Sequence, residues 1–385
     1  MKILYVVPNL KIGGIQRVTT LLSKEQSLHG HDVQILQLDP QKTLETSPGV
    51  TLHVLSKRQL FQHNPLWAIY WFSYKLLRNI ASESEFFWAA PLYSRLFRDK
   101  LIALEQNGDF DVIFMRGIRT IRYLHTVPHK RCVYSLHSHL AWLRKTRGPL
   151  STAYFSWLHR WVFNEKSILS VSRELKESFL DQAKIAATRT ISHRVINNPC
   201  DLLMIRDSAT EPLDYTEPFI VSVGRLSKQK RHDILLRAFA MVETNCKLVL
   251  IGSGRQENNL KQLTAELGLE DRVLFTGMDP NPYRWIARAK VFVLSSDFEG
   301  FPNVLLEAVA CCTPVISTRC EGAADILTGE LAQGLVDIGD IDGMARTIEH
   351  YLSNPIKPTA NDAERFSISN CAASYIEAAQ NINYE

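Results

Sequence analysis

Little in this chain of 385 residues points to metal or disulfide chemistry. Its seven cysteines (132, 200, 246, 311, 312, 320 and 371) include no C-x-x-C pair and no metal-ligand spacing. The odd count fits reduced thiols in a cytoplasm. The chain opens on an apolar strand, Lys2 to Val7, without the pattern of a signal peptide. Its greasiest run, Leu66 to Tyr74, is far short of the ~20 residues a spanning helix needs. No low-complexity tract or short repeat is present. The expectation is a cytoplasmic protein, at most touching the cytoplasmic face of an inner membrane. The net charge of +4 is mild, so its distribution matters more than its sum. Between Met115 and Arg160 acidic residues are missing altogether, while Arg116, Arg119, Arg122, Lys130, Arg131, Arg144, Lys145, Arg147 and Arg160 are present. Trp142, Tyr154, Phe155, Trp157 and Trp161 lie in or beside the same span. Any one of these residues is best read as part of a solvated face over an aromatic core. The run as a whole suits an anionic membrane surface or an anionic acceptor, each cation near such a surface adding ~1 kcal/mol. No nucleic-acid motif accompanies it, so nucleic acid is not an expected partner.

What is present is a regular alternation. Apolar runs at 2–7, 32–38, 50–55, 111–115, 131–136, 168–171 and 194–197 read as strands, and a second series follows at 219–223, 246–251, 272–275, 290–294, 314–317 and 334–337. Amphipathic stretches at 15–29, 173–183, 230–243, 256–267, 303–311, 341–353 and 363–380 read as helices. The pattern predicts α/β architecture with two doubly wound, Rossmann-like parallel sheets. The length allows two cores. The break falls near Asn197-Asn198-Pro199-Cys200-Asp201, which gives domains of about 1–198 and 199–365 with a last helix in 366–385. A polar segment, 207–218, leads into the second strand series. The aromatic-rich stretch 56–105 breaks the alternation and is expected to hold irregular inserted helices.

Chemistry concentrates in Ser296-Asp297-Phe298-Glu299-Gly300-Phe301-Pro302-Asn303-Val304-Leu305-Leu306-Glu307. An apolar strand enters a Gly/Pro turn, and the turn opens a helix with Pro302 near its first position. Backbone N–H groups at such a start form an anion site beyond the carboxyl end of a strand. Glu299 stands in the turn, and Glu307 shares a helix face with Asn303. Glu307 sits among Val304-Leu305-Leu306 and Ala308-Val309-Ala310, where a carboxylate needs a partner. An anion cradle between two carboxylates suits a phosphate attached to a polyhydroxyl group, because a carboxylate accepts from neighbouring hydroxyls. A sugar nucleotide has that form. The loop Gly224-Arg225-Leu226-Ser227-Lys228-Gln229-Lys230 carries two cations, Arg225 and Lys230, able to neutralise a diphosphate. Lys228 and Arg231 read as surface charges. Gly13-Gly14 opens a helix after the first strand, where either phosphate approach or a plain turn explains glycine. Gly252-Ser253-Gly254 lacks the third glycine of a dinucleotide fingerprint, since Glu257 takes its place. His137 ends a strand, with His139 as a competitor for any role there.

These segments resemble the large retaining glycosyltransferase family with the GT-B fold, family 4. The spacing from Glu299 to Glu307 resembles its E-x7-E signature, and Gly224 to Lys230 resembles its Gly-Arg-Leu-x-x-x-Lys loop. The Asn197-Asn198 stretch resembles its interdomain linker. The resemblance implies two Rossmann-like domains with a cleft between them, the first binding an acceptor and the second the donor, and a last helix returning to the first domain. It implies transfer of a hexose or N-acetylhexosamine from a nucleotide sugar to a hydroxyl with retention. Glu307 is then expected on the ribose, and Glu299 on the transferred sugar with amides of Gly300, Phe301, Asn303 and Val304 nearby. Arg225, Lys230 and Gly13-Gly14 take the phosphates, Gly252 lines the nucleotide site, and the backbone at Met278 meets the base. His137 meets the sugar at the reacting centre, although Ser138 stands where an Asp is usual. The family's front-face route, in which the leaving phosphate deprotonates the acceptor, fits a 115–160 span without acids. No Asp-x-Asp lies in a plausible place, so no metal or other cofactor is expected. The segment Phe298 to Asn303 most resembles members that build bacterial lipopolysaccharide, capsule or lipid-linked oligosaccharides from UDP-sugars. Two alternatives remain: a non-catalytic glycan-assembly partner, and a UDP-N-acetylglucosamine 2-epimerase on the same scaffold.

Overall fold

The structure is a computed structural model that describes residues 1–11, 13–40, 44–55, 69, 85–127, 131–138 and 149–381, of which 85–89, 92 and 149–151 by backbone only. The chain divides into two compact units, one of Met1–Pro199 with Ser369–Glu385 and one of Cys200–Ile368. His139 and most of the aromatic stretch 56–84 lie outside the described residues.

The first unit holds a parallel sheet of seven strands: β1 (Lys2–Val7), β2 (Asp32–Gln37), β3 (Val50–Val54), β4 (Val112–Arg116), β5 (Cys132–Leu136), β6 (Lys166–Ser170) and β7 (Thr190–Val195). Their order is β3-β2-β1-β4-β5-β6-β7. Central strands of such a sheet are covered on both faces, so they read as unbroken apolar runs. Ile3 to Val7 and Val112 to Met115 are all fully buried. The edge strand β7, Thr-Ile-Ser-His-Arg-Val, is only partly covered, and its composition shows it. The helix Ile368–Gln380 packs on this sheet, with Tyr375 fully buried and edge-on to Phe114.

The second unit holds six parallel strands: β8 (Phe219–Val223), β9 (Lys247–Ile251), β10 (Val273–Gly277), β11 (Val291–Leu294), β12 (Val315–Thr318) and β13 (Leu335–Val336). Their order is β10-β9-β8-β11-β12-β13. Leu235, Leu236, Phe239, Met344 and Ile348 fill the core on one face of it. In both sheets the strand order reverses at one point, between β1 and β4 and between β8 and β11. Loops leaving the carboxyl ends at such a switch diverge and leave a crevice, which is where open α/β sheets bind ligands.

The structure adds to the sequence reading in three places. In the aromatic stretch, where inserted helices are expected, Glu85–Leu104 is a helix of 20 residues with Pro91 inside it. Pro149–Phe163, within the acid-free basic span, is also helical. Leu202–Ala209 is a helix that takes in the start of the segment read as polar linker. Its signal was legible: Asp201 caps it by accepting from the Met204 amide at 3.1 Å.

Three buried histidines make the fold acid-sensitive. Burial pushes His125, His159 and His232 down to about 4, against ~6.5 in an unfolded chain. Between those values the unfolded chain binds the extra protons, so stability is complete above pH ~6.5 and falls as pH drops toward ~4. Each ring should contribute about 1.4 kcal/mol per pH unit in that window. Urea midpoints at pH 7, 6 and 5 should fall in that order; a flat series would mean the rings reach water.

Candidate active site

Two loops of the second unit leave the carboxyl ends of β8 and β11, on either side of its switch point. They are laced together by polar contacts. The Asp297 amide donates to the Gln229 carbonyl at 2.9 Å, and Gln229 Nε2 donates to the Phe298 carbonyl at 2.7 Å. Ser295 Oγ donates to the Lys230 carbonyl at 2.8 Å. Lys230 Nζ lies 2.6 Å from Glu299 Oε1, and Ser296 Oγ donates to the same oxygen at 2.8 Å. Both partners of the ion pair are largely buried, with side-chain exposures of 16% and 12%. The lysine stem runs close along Gly224, where an added Cβ would lie 3.3 Å from Lys230 Cε.

Arg231 is not the idle surface charge that its sequence context suggested. Its Nη1 bonds Asp297 Oδ1 at 3.0 Å while its Nε bonds Asp233 Oδ1 at 3.0 Å. Its backbone is left-handed, φ 46°, at the start of helix His232–Met241. A non-glycine residue keeps that conformation only when its surroundings hold it there. The two carboxylates do so, and they hold the arginine cation above its usual range, with the Asp233 hydrogen bond as the largest cause. Only the fold shows this, because Arg231 and Asp297 are far apart in the chain.

The expected donor residues fall as follows. Helix Asn303–Ala310 begins after Pro302, which supplies no side-chain cap. The Asn303 amide is already bonded to the Phe301 carbonyl at 3.0 Å, so it is not among the open donors at rest. Phe301 and Pro302 are buried, while Gly300 and Val304 are half-buried. Glu307 is half-buried rather than sealed in apolar surroundings, and it shares a partly open face with Asn303. The helix buries Leu305, Leu306, Ala308 and Val309 instead. Arg225 is exposed, whereas Lys230 is largely buried against Glu299. Met278 follows β10 and is 80% exposed.

Gly252 and Gly254 have a clear physical reason. Gly252 has φ 141°, and a Cβ there would sit 2.0 Å from the Gly224 carbonyl oxygen. A Cβ on Gly254 would sit 2.2 Å from the Leu226 carbonyl oxygen. The loop after β9 is therefore pressed against the loop that carries Arg225. Backbone bonds from Gly224 N to Ile251 O at 2.9 Å and Leu226 N to Ser253 O at 3.0 Å complete the seam.

In the first unit, Gly13 precedes helix Gly14–Leu28 with φ 179°, an extended backbone open to any residue. A left-handed turn therefore does not explain the glycine. Gly13 supplies no side-chain cap to the helix start, and there is no acid in its first turn. His137 follows β5 and is half-buried. Burial, and then the neighbouring Arg116, hold its ring well below the usual histidine range. Arg116, at the end of β4, is completely buried. Its Nη1 donates to the Tyr375 hydroxyl at 3.1 Å, and its guanidinium lies 5.4 Å and 5.7 Å from the Tyr375 and Tyr5 ring centres. Its Nε and Nη2, Ser135 Oγ and His137 Nε2 have no hydrogen-bond partner among the described residues. Arg116 looked like one cation of a basic surface run, and its burial has no signal in the local sequence.

A family model described as Glycosyl transferases group 1 matches residues 205–368, and one described as Glycosyltransferase Family 4 matches residues 12–202. The N-acetyl-alpha-D-glucosaminyl L-malate synthase of Bacillus anthracis is 35% identical over 364 residues, covering 87% of this chain and 83% of the relative. The chain belongs to glycosyltransferase family 4. A Campylobacter jejuni relative, N-acetylgalactosamine-N,N'-diacetylbacillosaminyl-diphospho-undecaprenol 4-alpha-N-acetylgalactosaminyltransferase, is 35% identical over 192 residues, 47% of this chain and 53% of its own. The match to the Rhizobium meliloti lipopolysaccharide core glycosyltransferase LpsD is 39% identical over 35% of this chain and 39% of that protein. The chain thus spans about half or less of those two relatives. The crystal structure of Anabaena Alr3699/HepE with UDP-glucose superposes with a TM-score of 0.72 at 19% identity, covering 99% of both chains. The apo lipopolysaccharide outer core galactosyltransferase WaaB gives 0.64 at 17% identity, over 98% of this chain and 99% of that one. The family 4 chain therefore has the GT-B fold, two Rossmann-like parallel-sheet units in succession.

The Gly252 seam carries a prediction. Gly252→Ala should destabilise the second unit by more than about 2 kcal/mol and loosen the Arg225 loop. An unchanged urea midpoint would show that the loops are not so closely packed.

Proposed function

We propose that the chain is a retaining glycosyltransferase that moves a hexose or N-acetylhexosamine from a UDP-sugar to a hydroxyl of a lipopolysaccharide, capsule or lipid-linked glycan acceptor. The observation that carries this is the Lys230–Glu299 contact at 2.6 Å, made between the two loops at the switch point of the second unit. One loop supplies cations for a leaving diphosphate, and the other supplies an acceptor of sugar hydroxyls. The names of the relatives support the reading: some act on lipid-linked or lipopolysaccharide glycans, and one solved neighbour holds UDP-glucose.

Bond breaking builds negative charge on the diphosphate. Arg225, Lys230 and the start of helix Asn303–Ala310 stabilise that charge. Lys230 then shares its ammonium between Glu299 and the phosphate oxygens. Glu299 orients the sugar, with the backbone at Gly300, Phe301 and Val304 beside it, and Glu307 takes the ribose diol. Gly252 shapes the nucleotide wall, and Met278 marks the backbone at the base. The first unit takes the acceptor. There Gly13 and Gly14 leave a helix start open to phosphate, and His137, uncharged at neutral pH, offers its ring to the sugar without adding charge. Transfer follows the front-face route, with the leaving phosphate taking the acceptor proton, and no metal is required.

Incubation of the purified protein with UDP-sugars should release UDP slowly from one of them. Arg225→Ala and Lys230→Met should each lower that rate by about 100-fold or more, and EDTA should leave it unchanged. Tight binding without turnover, even with membrane extract, would favour a non-catalytic partner, and interconversion of epimers would favour an epimerase.

We also propose peripheral contact with an anionic membrane surface through helix Pro149–Phe163. Tyr154, Trp157 and Trp161 are 40%, 43% and 39% exposed there, and the two tryptophans stack at 5.5 Å. No helix among the described residues is long and apolar enough to cross a membrane. The protein should co-float with anionic vesicles at low salt and not with neutral ones. Trp157→Ser with Trp161→Ser should reduce flotation, and equal flotation of the double variant would remove the helix from the contact.

A further inference from the structure

We propose that Arg231 is a positioning residue of the donor site. It holds the Glu299 turn on the loop after β8 by a contact separate from Lys230, so that Lys230 can meet a diphosphate without releasing the turn. The proposal rests on the donor-site reading above. Residues 230 and 231 each reach across to the loop after β11, Lys230 to Glu299 and Arg231 to Asp297. The two contacts differ in what a ligand can take from them.

Lys230 offers a single ammonium. On the reading above it is divided between Glu299 and the phosphate oxygens, so its grip on the turn weakens as the donor binds. Arg231 is engaged on all three of its nitrogens. Its Nε and Nη2 donate to Asp233 Oδ1 and Oδ2 at 3.0 and 3.1 Å, and its Nη1 donates to Asp297 Oδ1 at 3.0 Å. Two carboxylates around one guanidinium make the group anionic as a whole, so it does not compete for the phosphate. A lysine could not replace it, because the planar fork is what serves two carboxylates at once.

The backbone is part of the device. Arg231 has φ 46° between the short 3-10 turn Lys228–Lys230 and helix His232–Met241. Glycine takes that conformation freely, whereas an arginine has to be held in it. Other bonds also fasten the turn. The Asp297 amide donates to the Gln229 carbonyl at 2.9 Å, Gln229 Nε2 to the Phe298 carbonyl at 2.7 Å, Thr318 Oγ1 to the Ser296 carbonyl at 2.6 Å and the Glu299 amide to Glu321 Oε2 at 3.1 Å. Loss of Arg231 should therefore shift the turn slightly and not unfold it. A slight shift of a group that orients the reacting sugar lowers rate more than binding. Arg225 and Lys228, exposed on the same loop, and Lys230 still attract the diphosphate after that loss.

The test separates rate from binding on the full chain. UDP affinity is measured by calorimetry, and turnover of UDP-glucose and UDP-N-acetylglucosamine by release of UDP. Arg231→Gly relieves the left-handed backbone, so its urea midpoint should stay near that of the natural protein. Its kcat should fall about tenfold, while its UDP affinity should change by less than about threefold. Arg231→Lys keeps the charge without the fork and should lose rate to the same degree. Asp297→Asn should match it, and the double variant with Arg231→Gly should be no slower than either alone, as for two residues that act as one unit. An unchanged kcat in a folded Arg231→Gly, full rate in Arg231→Lys, or a UDP affinity that falls in step with kcat overturns the proposal; the last result would make Arg231 a phosphate ligand. If Arg231→Gly does not fold, Asp297→Asn decides by the same readouts. Absence of UDP binding by the natural protein overturns the donor-site reading, and the proposal with it.

Discussion

The second unit depends on a lysine ammonium held against a nearly buried carboxylate. Lys230 and Glu299 come from loops 69 residues apart, and each is carried there by a parallel strand beside the switch point. Attraction and desolvation largely cancel in such a pair, so its value is geometric more than energetic. It fixes a cation and a carboxylate at one point, on the two loops that flank the switch point. The surrounding contacts serve that placement. Arg231 clamps Asp297 to Asp233, Gln229 holds the Phe298 carbonyl, and Gly252 and Gly254 allow the neighbouring loop to lie backbone to backbone.

The first unit uses a different balance. Arg116 is sealed between two tyrosine rings beneath the helix Ile368–Gln380, and it donates a hydrogen bond to Tyr375. A buried guanidinium with two nitrogen atoms that find no partner among the described residues is costly. Ring faces offset part of that cost. The cation in turn helps to keep His137 uncharged. The same side chain thus joins the seating of the last helix to the state of a ring at the carboxyl end of β5.

Much of the architecture was legible in the sequence because buried parallel strands are short apolar runs that need no partner to be recognised. Val291 to Leu294 and Phe219 to Val223 identify themselves, and the residues that follow them carry the charge. The Glu299–Glu307 spacing and the Gly224–Lys230 loop were likewise readable, because each is local and the helix period relates one residue to the next. Helices Glu85–Leu104 and Pro149–Phe163 were not: the first has Pro91 in its interior, and the sequences of both scatter aromatic residues among their apolar positions, so amphipathic periodicity is weak.

By itself, then, the sequence determined the two sheets, their strands and the local motifs, since all of these follow from patterns within a few residues. Tertiary structure alone decided which charges are engaged. It turned Arg231 from a solvated cation into a clamp, buried Arg116 and opened Glu307 to a half-exposed face. The reason is that the energy of a charge depends on what the fold packs around it, and those neighbours are distant in the chain.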